Sequence, residues 1–205
     1  MRRDSPAPTR EPFELATLPD HDLDLTTVIA LEPTDVSRTS WAETASRYGL
    51  RSREGGTLAS KDIAPLCDRL LAAGMLATSY SASRFQLRQA AALEVLVASH
   101  DRGRLASLAE RFERRSKPRA YSFIGVGELT NIRVAVLLGD AARAARAVDG
   151  FHARDRSTRA RLLVEALGPV PRPAWIPVLP SDARAAYLHL VIEIATTFLV
   201  PLEPA

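Results

Sequence analysis

Apolar residues recur at helical spacing along most of the chain, and Gly and Pro divide it into segments. From Asp22 to Glu32, Leu25, Val28 and Ile29 share one helical face, and Pro33 closes the segment. Ser40-Trp41-Ala42-Glu43 has the form of a capping box, in which the Ser hydroxyl accepts from the Glu43 amide and the carboxylate reaches back. It predicts a helix of little more than two turns, with Trp41, Ala45 and Tyr48 inward and Gly49 as its left-handed cap. The clearest period is Ile63, Leu66, Cys67, Leu70, Leu71 and Gly74, which follows i, i+3, i+4, i+7, i+8. Pro65 belongs near a first turn, so that helix starts between Ser60 and Asp62 and ends at Gly74. Met75–Ser79 and Ser83–Leu87 read as two short strands around Tyr80-Ser81-Ala82, with Phe85 and Leu87 on one side.

The remainder is predicted as helix after helix: Arg88–Ser99, Arg104–Arg115, Glu128–Leu138, Ala141–Asp149, Ser157–Leu167 and a last one from Ser181 or Asp182 to about Leu199. Gly139-Asp140 supplies a C-cap followed at once by an N-cap, the mark of a tight antiparallel helix pair. In the last helix, Leu188, Val191, Ile192, Ala195 and Leu199 form the expected core stripe. A second stripe of Tyr187, Leu190, Ile194 and Phe198 lies beside it and calls for cover on more than one side. The Pro-rich stretch Pro169–Pro180, with Trp175 and Ile176, is one candidate cover; self-association or a larger assembly is the other. Residues 1–12 have no periodicity and are expected to be a mobile tail, leaving one unit over 13–87 and a second over 88–205.

Charge adds a contrast that the total hides. The net charge is only +3, but residues 1–50 hold five Arg against nine acids, net −4. Residues 51–120 hold eleven Arg and two Lys against seven acids, net +6, and residues 121–205 are near balance at +1. An electrostatic footprint for a polyanion therefore belongs to the middle segment. The single cysteine, Cys67, excludes a disulfide framework and fits a reducing compartment. Glu193 interrupts the best apolar run, Leu188 to Val200, and MRRDSPAPTREP lacks the apolar core of a signal peptide, so the expectation is a cytoplasmic protein with no membrane contact.

Helix, short capped helix, periodic helix and hairpin, in that order, resemble a winged helix-turn-helix domain from about Asp22 to Leu87. The resemblance is carried by the capped helix ending at Tyr48, by Leu70-Leu71-Ala72-Ala73-Gly74-Met75-Leu76 leading into a wing, and by Arg84-Phe85-Gln86-Leu87 as the returning wing strand. The loop with Gly55-Gly56 is longer than the family's usual turn. From about Arg88 to Pro201 the chain is similar to a short array of tetratricopeptide type, marked by Gly139-Asp140 but without the repeat signature. A winged helix followed by stacked helices resembles the amino-terminal region of large bacterial Swi/Snf-type helicases. No Gly-x-x-x-x-Gly-Lys-Ser/Thr loop of an ATPase motor is present. The fold class expected is thus mainly α, a winged helix-turn-helix with a small two-stranded wing followed by a helical hairpin or repeat-like lobe.

Catalytic and metal motifs are scarce. His21 between Asp20 and Asp22 could recruit a metal, but reads better as a solvated acidic turn; His189 and Glu193, four residues apart, read as a structural hydrogen bond. Cys67 lies on the apolar stripe and reads as a small core residue. Gly125-Val126-Gly127 lacks the third glycine and the preceding strand of a dinucleotide loop. No cofactor, metal or catalytic residue is assigned, and the protein is expected not to be an enzyme.

Basic residues remain. Arg51 and Arg53 precede the periodic helix, Lys61 and Arg69 lie on its exposed face with Pro65, Asp68 and Ala72, and Arg84 and Arg88 flank the returning strand. A second basic run follows: Arg102, Arg104, Arg111, Arg114, Arg115, Lys117 and Arg119. Winged helices position themselves on duplex DNA with such phosphate contacts. Asp62 and Asp68 repel phosphates and no Asn or Gln is there to read adenine, so mostly backbone contacts are expected. The expected function is a duplex-DNA-binding module joined to a helical protein-interaction platform; the alternative is a protein–protein adaptor whose winged helix does not bind DNA.

Overall fold

The computed structural model describes residues 15–32, 35–79, 83–115, 126–151 and 156–199. The expected tail over 1–12, Pro33, the Tyr80-Ser81-Ala82 turn, Gly125, His152 and the basic residues Lys117 and Arg119 lie outside them. Within them the chain is mainly helical, with one small antiparallel sheet.

The first helix, α1 (Asp20–Leu31), is buried at every residue from Asp22 to Leu31, which corrects the expectation of a single inward face. It packs against α2 (Arg38–Arg47), α4 (Gln89–Asp101) and α5 (Leu105–Arg115). Its polar residues tolerate this because each finds a partner. The Thr26 and Thr27 hydroxyls donate to the carbonyls of Asp22 and Leu23, at 2.7 and 2.8 Å, and the carboxylates of Asp22 and Asp24 meet arginines.

Helix α2 begins one turn earlier than Ser40 would place it. Its N-cap is Ser37: the Ser37 hydroxyl accepts from the Ser40 amide at 3.1 Å, and the Ser40 hydroxyl accepts from the Ser37 amide at 2.8 Å. Ser40 therefore occupies the reciprocating position of a capping box, the place expected for Glu43. Trp41, Ala45 and Tyr48 are fully buried, and the Trp41 indole N–H donates to the Leu25 carbonyl at 2.8 Å. Gly49 has φ +79° and lies so close to the Arg111 guanidinium that a Cβ there would sit 2.9 Å from it.

Helix α3 (Ser60–Ala72) starts where Pro65 requires, with the Asp62 carboxylate accepting from the Ala59 amide at 2.8 Å. Ile63, Leu66, Cys67 and Leu70 are buried, and Leu71 is half-buried. Gly74 turns the chain, at φ +73°, into β1 (Leu76–Thr78), which pairs antiparallel with β2 (Phe85–Leu87) in the register Leu76 to Leu87 and Thr78 to Phe85. Val36 forms an antiparallel bridge to Phe85, each amide donating to the other's carbonyl at 2.9 and 2.8 Å. One extended residue ahead of α2 thus adds a third strand position to the hairpin.

The other helices are α6 (Val126–Leu138), α7 (Ala141–Asp149), α8 (Arg156–Leu167) and α9 (Ser181–Leu199). The Gly139-Asp140 turn joins α6 to α7 as expected: Gly139 has φ +68° and the Asp140 carboxylate accepts from the Arg143 amide at 2.9 Å. Helix α8 packs between α6 and α9. Residues Pro173–Val178 form a 3-10 helix against α6, with Trp175 buried under the Arg172 guanidinium at 4.7 Å.

On α9 the assignment of faces is corrected. Ala183, Ala186, Tyr187 and Val191 are buried, whereas Ile192, placed on the core stripe, is 62% exposed and Ala195 is exposed as well. The Tyr187 hydroxyl donates to the Gly168 carbonyl at 2.9 Å, so the aromatic side chain turns inward and rotates the expected stripe toward solvent. Buried apolar side chains form a contiguous cluster from Leu18 to Val191, and no described helix is long and apolar enough to cross a membrane.

Candidate nucleic-acid interface

Exposed residues of α3 follow its helical period. Lys61, Pro65, Asp68, Arg69 and Ala72 are all exposed, opposite the buried Ile63–Leu70 stripe. Asp68 is held by Arg38 from α2 at 2.5 Å, and Arg38 also lies 5.9 Å above the Phe85 ring. Next to this face lies the hairpin, where Arg84 donates to the Asp35 carbonyl at 3.0 Å and Ser79 hydrogen-bonds the Asp35 carboxylate.

Of the six basic residues singled out, Arg51, Lys61 and Arg88 are exposed and make no side-chain ion pair among the described residues. Two others converge. Arg53, in the loop before α3, donates its NH2 to both oxygens of Asp22 at 2.8 and 2.9 Å, and Arg69 NH1 reaches the same carboxylate at 3.4 Å. The Asp22 side chain is only 6% exposed, whereas those of Arg53 and Arg69 are 65% and 46% exposed. The hydrogen bond to Asp22 also raises the Arg53 pKa. His21 completes the corner: its Nε2–H donates to the Arg51 carbonyl at 2.7 Å, and its Nδ1 is 3.4 Å from Asp22. Asp20, His21 and Asp22 are therefore the first turn of a buried helix, not a solvated acidic turn ahead of one.

Two arginines of the second basic run, Arg102 and Arg104, reach the same helix end. Arg102 contacts Asp20 at 3.0 Å and the Leu18 carbonyl at 2.7 Å. Both carboxylate oxygens of Asp24 accept from Arg104, the Nε bond measuring 2.5 Å, and that hydrogen bond raises the Arg104 pKa. Arg111 donates to the Tyr48 carbonyl. Asp20, Asp22 and Asp24 of the acidic segment thus pair with Arg53, Arg69, Arg102 and Arg104 of the basic one. Asp22 as a shared anchor was not anticipated; the opposite signs of segments 1–50 and 51–120 were its only sequence signal.

Elsewhere, Cys67 is fully buried and burial pushes its thiol pKa up, against the lowering effect of Arg38, so it stays protonated at neutral pH. His189 and Glu193 are exposed and do not hydrogen-bond each other; the Glu193 carbonyl instead accepts from Thr196 and Thr197. Gly127 lies in the first turn of α6, not in a loop after a strand. Among the described residues no group of three His, Cys, Asp or Glu side chains could hold a metal ion. A cavity of about 270 Å3 between α7, α8 and α9 is lined mainly by Val148, Phe151, Leu163, Ala183 and Ala186, with the Arg159–Asp182 pair at 3.5 Å. No family model, curated protein or solved structure matches the chain.

Proposed function

We propose that residues 13–87 form a winged helix-turn-helix module that contacts duplex DNA through its phosphates, and that residues 88–205 form a helical platform for a protein partner or a second copy. The observation that carries this reading is the Val36–Phe85 bridge. It gives the order helix, strand, helix, helix, strand, strand, with exposed basic residues before α3 (Arg51, Arg53), on it (Lys61, Arg69) and beside the wing (Arg84, Arg88). Asp62 and Asp68 on α3 disfavour base reading, so the contact is largely independent of sequence. Exposed Ile192 and Ala195 on α9 support the platform, and the lone buried thiol fits a reducing, cytoplasmic setting. No enzymatic step is assigned.

A second reading, a protein–protein adaptor, is favoured by the internal pairing of Arg38, Arg53, Arg69 and Arg84. Salt titration of random-sequence duplex separates the two. Phosphate contact makes log affinity fall linearly with log salt, and Arg84→Ala with Arg88→Ala lowers affinity about equally across sequences and flattens the slope by roughly one unit per lost contact. No duplex binding at about 50 mM salt hands the protein to the adaptor reading.

A further inference from the structure

Asp22 has an unusual place among the acids near α3: it is buried, and two exposed guanidiniums from different elements rest on it. Arg53 comes from a loop and Arg69 from the second half of α3, and neither position alone restrains a long side chain. Together with Asp22 they form one corner, with the carboxylate behind and the cations in front. Arg53 uses only its NH2 on Asp22, so its Nε and NH1 point elsewhere. His21 ties the base of the corner to the loop through the Arg51 carbonyl. One carboxylate that accepts from both guanidiniums fixes their orientation relative to each other.

We infer that Asp22 is a positioning residue that holds Arg53 and Arg69 as a two-arginine clamp for a phosphate group. The inference rests on the duplex-binding reading above, where the phosphate belongs to the nucleic-acid backbone. It makes a prediction against simple charge counting. Removing an acid beside a DNA-binding face ordinarily strengthens binding, because it removes repulsion. Asp22→Asn instead weakens duplex binding, because the side chains it orients lose their anchor and must be ordered at the moment of contact.

Fluorescence anisotropy of a labelled random-sequence duplex against the full chain, over a series of KCl concentrations, tests this. Asp22→Asn is expected to bind more weakly than wild type and to lose roughly one unit of salt slope, for the one phosphate the clamp neutralises. In an Arg53→Ala/Arg69→Ala background, Asp22→Asn is expected to weaken binding no further, since a positioning residue acts only through what it positions. A purely structural role would leave the slope unchanged and persist in that background, which overturns the inference. So would an Asp22→Asn protein that binds as tightly as wild type or more tightly. Should Asp22→Asn fail to fold, a charge-matched pair decides: Arg53→Ala must weaken binding more than Arg51→Ala, and equal losses overturn the clamp. Competition by inorganic phosphate, compared with potassium chloride at equal ionic strength, separates a site for free phosphate from one for the duplex. Stronger competition by phosphate than its ionic strength explains supports a clamp for either source; a wild-type protein that binds neither duplex nor phosphate overturns both the clamp and the function it deepens.

Discussion

Around the first turn of α1, the guanidiniums of Arg53, Arg69, Arg102 and Arg104 keep part of their surface in solvent and meet carboxylates; on α6 and α7, Arg133 and Arg143 are buried and hydrogen-bond neutral oxygens. Arg133, 1% exposed, donates its Nε to the Ala166 carbonyl at 2.9 Å and its NH2 to the Glu165 carbonyl at 3.0 Å, at the last turn of α8. Arg143 donates Nε and NH2 to the Asn131 side-chain oxygen at 3.2 and 3.1 Å, with Glu113 farther off at 3.8 Å. Burial lowers the pKa of both. The same side chain therefore serves two physical ends. Arg133 fills orphan acceptors at the end of α8 and complements its helix dipole, and Arg143 ties α7 to the Asn131 side chain of α6, both local and permanent tasks. Around α1 the contacts are ionic, partly hydrated and open to competition from salt or from another anion.

The sharpest way to break this contrast is at Arg133. Arg133→Ala leaves two carbonyls at the end of α8 without their donor and opens a void in the core, and is expected to destabilise the fold by about 3–5 kcal/mol. Chemical denaturation is expected to show that loss nearly unchanged between low salt and about 1 M salt, since little solvent reaches the site. A loss that salt removes would mean Arg133 acts as a surface charge.

Asp24 is the counterpart in the other region. Asp24→Asn keeps the shape, weakens the two contacts to Arg104 and leaves that cation partly hydrated and near Asp20. The expected loss is about 1–2 kcal/mol, and it shrinks at about 1 M salt, where the Debye length is only about 3 Å. Equal salt responses for the two variants would erase the distinction between the regions.

Where sequence and structure part company, the cause is tertiary in each case. The stripe Ile63, Leu66, Cys67 and Leu70 and the Gly139-Asp140 turn were legible because helical period and cap chemistry are local. The cap of α2 was displaced to Ser37 because Ser40 fits either role in a capping box, and the Val36–Phe85 pairing that leads the chain into Ser37 is a contact between distant residues. The faces of α9 were rotated because both of its stripes are apolar, and the Tyr187 bond to Gly168, invisible to periodicity, decides between them. As for the site, Arg51, Arg53, Lys61, Arg69, Arg84 and Arg88 could be named from position in the chain. Their partners could not: Asp22 is 31 residues from Arg53 and 47 from Arg69, and only the fold brings the three together.

Asp68 gives the smallest effect on stability and the closest test of the regional contrast. Its pair with Arg38 is short, but both side chains are well exposed, so water and salt screen it and little net energy is gained. Asp68→Asn is expected to cost no more than about 0.5–1 kcal/mol in a denaturant melt. Its effect on duplex binding is the informative part. Asp68 stands in front of α3, on the face turned outward, whereas Asp22 stands behind the arginines it holds. Neutralising Asp68 removes repulsion and releases Arg38, so duplex affinity should rise; neutralising Asp22 should lower it. Two Asp→Asn substitutions with the same change in net charge are thus expected to move affinity in opposite directions. Parallel shifts in anisotropy titrations at one salt concentration would mean that only net charge matters at this surface, and that neither carboxylate has a role set by its place in the fold.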